Sequence, residues 1–158
     1  MKKIFLLTVT LMLLFSVTTS FAKVLATVDG EEITDKMVNL YSDAFKGKAD
    51  NKIILDTLIN RAVIVKEAEK EKYFENIKKQ LKKQVGKEVL TGIVIREYLK
   101  DKVLKNIKVS DEEIKRVIAH NKGMDRNAAK NQLIMMKAQK NFETLLNSLR
   151  KKHKIKVY

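Results

Sequence analysis

The sequence contains no cysteine, no proline and no tryptophan. Without cysteine there is no disulfide framework, no thiol nucleophile and no site for a cysteine-linked lipid anchor. Without proline, and with only five glycines in 158 residues, few turns are forced, so long helices are the expectation. Acidic side chains are also scarce: 19 against 33 basic ones, a net charge of +14 at pH 7. Such a surface attracts nucleic acid, anionic lipid or acidic polypeptide, and in its plainest role only keeps a chain soluble. The two histidines, His120 and His153, have no metal-ligand spacing beside them and read as surface residues near helix ends. There is no Gly-rich phosphate loop and no GxSxG segment, so no catalytic residue, metal or cofactor is assigned. The carboxylates of Glu31-Glu32 and Asp111-Glu112-Glu113 fall at a turn and a helix start, where capping and the helix dipole account for them.

The first 22 residues have the form of a secretory signal. Lys2 and Lys3 make a basic start, Ile4 to Phe15 an apolar stretch, and Ser20-Phe21-Ala22 a small-residue cleavage site. The apolar part is shorter than the roughly 20 residues of a spanning helix, so cleavage after Ala22 is expected rather than anchoring. The rest, 23–158, reads as one exported domain, soluble in a bacterial periplasm. On that ground nucleic acid is not expected as a partner.

Val24-Leu25-Ala26-Thr27-Val28 is β-prone, and Asp29-Gly30 is a two-residue hairpin signal leading into Glu31-Glu32-Ile33. Thr34 suits an N-cap for a helix from Asp35 to about Phe45. Asp50 or Asn51 starts a second helix, to about Lys70, apolar on much of its circumference. Glu67 to Lys83 continues as a charged helix with Tyr73, Phe74, Ile77 and Leu81 on a narrow apolar edge. Another helical stripe runs from Val89 to Leu104, where Gly92 predicts a break or kink. Ser110 and Glu113 form a capping box for a helix to about His120, closed by Asn121 and Gly123. A long helix follows from about Asp125 to Lys151, with Phe142, Leu145 and Leu149 assigned to the core. Lys154 to Tyr158 alternates charged and apolar, a strand period. The fold class expected is mostly α, with a small sheet in which the C-terminal strand joins the N-terminal hairpin.

Three blocks in this order resemble the N-terminal chaperone region of the SurA-like family of exported foldases, which includes PrsA-type proteins. They are Val24 to Thr34, Leu55 to Lys70 and Val109 to Ile114, with the run Lys137 to Val157 resembling the segment that closes that module. Glu32 stands where the family usually has proline. Many relatives carry a parvulin-type prolyl isomerase domain. Here Ile114 leads within a few residues to the closing helix, so the resemblance implies a chaperone module without isomerase activity.

It also implies an ATP-independent chaperone that binds unfolded or partly folded exported proteins in an apolar groove. Methionine adapts its shape and aromatics supply area, which makes Tyr41, Phe45, Tyr73, Phe74, Tyr98, Met135 and Met136 the candidate peptide-binding residues. The competing reading of each is core packing at helical spacing. Two other functions stay open: a structural subunit of an envelope complex, and a peripheral binder making weak contact with an anionic membrane surface through the Lys-rich helix Glu67–Lys83. Oligomeric state is not legible.

Overall fold

The computed structural model describes residues 22–44, 49–81 and 84–158; residues 1–21, where most of the expected signal falls, Phe45 and Lys82-Lys83 lie outside them. Strands β1 (Val24–Val28) and β2 (Glu31–Thr34) form the opening hairpin. Helices α1 (Asp35–Ala44), α2 (Asn51–Lys70), α3 (Tyr73–Gln80) and α4 (Lys87–Leu99) follow. A π-helical turn, Lys100–Leu104, extends α4, and then come α5 (Asp111–His120), α6 (Arg126–Lys152) and strand β3 (Ile155–Val157).

Asp29 and Gly30 both take positive φ, 49° and 86°, as a tight hairpin with a mirror-image turn requires. The sheet order is β2-β1-β3, entirely antiparallel, with Thr27 opposite Lys156 and Val28 opposite Ile155. The Asp29 N–H donates to the Lys154 carbonyl at 2.9 Å and the Tyr158 N–H to the Leu25 carbonyl at 3.0 Å. The chain is thus mostly helical and closed by a small sheet made from its two ends. A hairpin alone would be marginal in water; the third strand and the helices beneath supply the missing burial.

Ala26 and Val28 on the central strand are 0% exposed and enter a continuous core with Ile33, Val38 of α1, Ile54, Leu58, Ile59, Val63, Ile64 and Ala68 of α2, Leu90, Val94 and Tyr98 of α4, and Leu149 of α6. Phe142 and Leu145 are half-buried against it. Each fully buried aliphatic side chain contributes on the order of 1.5–3 kcal/mol. Ile114 of α5 and Ala129 of α6 are buried apart from that core, where α5 packs on α6.

Caps mark several boundaries. Asp50 accepts from the Lys52 N–H, Asp125 from those of Asn127 and Ala128, and Ser110 with Glu113 makes both bonds of a capping box. Helix α1 starts at Asp35, directly after Thr34, as expected, and Asp35 Oδ1 accepts from the Lys36 N–H there. Two expectations are corrected. The charged segment after Glu67 is not one helix: Lys72 takes a left-handed φ of 63° and separates α2 from α3. And α4 runs through Gly92 without a break, with Thr91 beside it and Val94 two residues on both buried. The irregularity falls at the π-turn instead, where the Lys105 N–H reaches the Lys100 carbonyl.

Candidate functional site

Of the seven residues singled out for peptide binding, the six that are described do not share a groove. Tyr98 is 1% exposed and belongs to the core, because Leu90, Val94 and Tyr98 form the stripe by which α4 packs inward. It cannot meet a client. Its ring lies edge-on to Tyr73, centroids 5.2 Å apart at 75°, with the Lys102 ammonium 5.6 Å from its centroid. Burial pushes the Tyr98 hydroxyl's pKa up, and Glu71 and Glu67 add to the rise. Tyr73 is half-buried and donates to Asp101 Oδ2 at 2.7 Å. Burial, then that bond, raises its pKa, while the same bond, followed by Lys105, lowers the Asp101 carboxyl. Tyr73 is therefore committed to holding α3 on the π-turn. Tyr41 and Phe74 are half-buried against the core. Phe45 lies outside the described residues. What remains open are Met135 and Met136, 72% and 58% exposed on the outer side of α6.

Helix α6 is the longest element, 27 residues, about 40 Å at 1.5 Å per residue. Its inner face carries Phe142, Leu145, Leu146 and Leu149 onto the core. One edge turns toward the chain leaving the π-turn. There Lys137, Lys140 and Asn141 face Asn106, Ile107 and Lys108 across a polar cleft of about 370 Å³. Lys137 Nζ donates to the Lys108 carbonyl at 2.6 Å and meets the Glu113 carboxylate at 2.7 Å. Asn141 Nδ2 donates to the Val103 carbonyl at 3.0 Å. The Lys137 bond, followed by the Ser110 N–H, lowers the Glu113 pKa. These bonds fix the walls of the cleft.

A second polar cluster was not foreseen. His153, expected on the surface, has a side chain that is 0% exposed. Its Nδ1 stands 2.6 Å from Asp29 Oδ2, and Asp29 Oδ1 accepts from the Lys154 N–H at 2.8 Å. Its Nε2 faces Glu67 Oε2 at 3.3 Å, within ion-pair reach but without hydrogen-bond alignment; neither atom has a hydrogen-bond partner among the described residues. Lys152 Nζ binds the other Glu67 oxygen. The hydrogen bond from His153, then the Lys154 N–H, lowers the Asp29 pKa. Burial works to raise that of Glu67, but Lys152, with Lys70 and His153, outweighs it and the net direction is down. The cluster joins the hairpin turn, α2 and the end of α6. An Asp-His pair suggests the base half of a hydrolytic triad, yet the ring is sealed and its second nitrogen meets a carboxylate, so no nucleophile or substrate reaches it. Its work is structural. His120, by contrast, is exposed at the end of α5 as expected, its Nδ1 2.8 Å from the Arg116 carbonyl.

Among the described residues no three metal-ligating side chains converge, and no helix is long and apolar enough to cross a membrane. Neither the protein-family models nor the curated proteins searched give a match to this chain.

Proposed function

We propose that this protein is an ATP-independent chaperone-like binder of unfolded exported polypeptides, of the SurA-like kind and without isomerase activity. The observation that carries the reading is the open pair Met135-Met136 on α6. Two adjacent flexible apolar side chains stand in solvent on a helix whose inner face is already fully used. Thioether side chains adapt to many apolar partners at little strain, which suits a binder of varied sequences. The basic surface adds long-range attraction for acidic segments and opposes self-association.

The test is a fluorescence-anisotropy titration against a labelled, unfolded, apolar-rich polypeptide of low net charge, at low salt and at about 0.5 M salt, where charge interactions are screened within a few ångströms. Saturable binding that survives high salt is the expected result. Absence of binding at both salts refutes the reading and points to a dedicated protein partner. Binding at low salt alone also refutes it and moves an anionic envelope surface to the front.

A further inference from the structure

The cleft beside α6 combines two features that the binding reading alone does not require. Three lysines, Lys108, Lys137 and Lys140, converge on it together with the amides Asn106 and Asn141. Glu113 pairs with Lys137; no carboxylate pairs with Lys108 or Lys140 among the described residues. Its charge is therefore under-compensated where three lysines gather around a concavity. The second feature is position. Met136 and Lys140 are four residues apart on α6, so they share a face, and Lys137 and Asn141 form the adjacent pair. An apolar contact thus adjoins a basic cleft on one edge of one helix.

We propose that this edge selects its client segments: an aspartate or glutamate side chain of an unfolded polypeptide enters the cleft between Lys108 and Lys140 while a neighbouring apolar side chain lies on Met136. This rests on the binding function proposed above and names the class of segment preferred, acidic residues interleaved with apolar ones. The charge complementarity is direct. Lys108 and Lys140 supply two uncommitted cations, Lys137 is held in place by the Lys108 carbonyl and Glu113, and the amides supply neutral polar groups. A carboxylate is small enough for the roughly 370 Å³ available. Lysines present point charges on flexible stems, so the site tolerates variation in where the acid sits along the client. Such tolerance is what a binder of many sequences needs.

Two labelled unfolded peptides test this. Both are capped at each end, so that no terminal carboxylate takes part. They are identical except that aspartates beside apolar residues in one are asparagines in the other. Binding of each is measured by anisotropy to the protein and to its Lys108→Gln/Lys140→Gln variant. Both lysines are exposed and neither side chain is bonded within the described fold, so the variant is expected to melt with the parent. The aspartate peptide is expected to bind about three- to tenfold more tightly than the asparagine peptide, the range for one or two exposed charge contacts. In the double variant that gap should close while the asparagine peptide binds as before. Equal affinity of the two peptides for the parent overturns the inference and leaves the binding function standing. A gap that persists in the double variant also overturns it, because the preference then lies elsewhere on the basic surface. If neither peptide binds, both readings fall.

Discussion

Replacing Glu67 by glutamine removes one charge from the Asp29–His153–Glu67–Lys152 cluster and almost nothing else in volume. The Glu67 side chain is 7% exposed and the His153 side chain 0%, so their environment cannot be replaced by water without opening the fold. Breaking a buried ion pair by deleting one partner costs about 3–5 kcal/mol when the orphaned charge stays buried. Here the orphaned ammonium, Lys152, is 54% exposed and returns to solvent. The cost should fall toward that of a hydrogen bond to a charged group, about 2 kcal/mol, or a melting temperature lower by roughly 5–10 °C. The pH dependence is sharper still. The Glu67 carboxyl titrates below its ordinary value in the folded chain. Its stabilisation is thus fully present above the unfolded value of about 4.3 and is lost as pH falls through the folded one. The variant lacks that contribution at every pH. Urea denaturation followed by far-ultraviolet circular dichroism should show parent and Glu67→Gln clearly apart near neutrality and converging in acid, as pH falls through the lowered folded value of Glu67. Equal stability at neutral pH, or a difference that persists in acid, would refute the role assigned to the cluster.

Removing Ile155–Tyr158 should lower the melting temperature and expose the edge of β1, with aggregation rising at the same protein concentration; an unchanged melt would contradict the closure of the sheet by the C-terminus. Ser110→Ala should cost about 1 kcal/mol through loss of the capping box, read as a lower urea midpoint at unchanged slope. Tyr98→Ala should destabilise the whole chain by about 3–5 kcal/mol, as for a buried aromatic. A folded variant of parental stability with weakened client binding would place Tyr98 on the binding surface after all.

The legible parts of the fold were those governed by local rules. Asp29-Gly30 specifies its own turn, and Ser110 with Glu113 specifies its own helix start, because the partners lie within a few residues. The period of Ile155–Val157 announced a strand, and with a single hairpin elsewhere to pair with, the topology followed. Lys72 shows the opposite case. Its left-handed φ ends a helical pattern with no glycine to mark the place, since the stop is imposed by the packing of α3 against α4. Tyr98 shows a different limit: spacing places a residue on an apolar stripe but does not say whether the stripe faces solvent or core. His153 was misplaced because its partner Asp29 lies 124 residues away in the chain. Asp29 was already explained by its turn, and nothing in the alternating Lys154–Tyr158 pattern pointed to a buried imidazole before it. The cleft was equally hidden, because Lys137 and Lys140 meet the segment carrying Lys108 only in the fold, about thirty residues away in the chain.

Methionine methyl resonances test the central claim most directly. The sequence holds six methionines, of which Met37, Met124, Met135 and Met136 lie in the described domain. In the protein labelled at its methionine methyls, adding an unfolded, apolar-rich polypeptide at high salt should shift or broaden the Met135 and Met136 signals and leave Met124 in place. Signals of Met135 and Met136 that stay unmoved at saturating polypeptide would contradict the account.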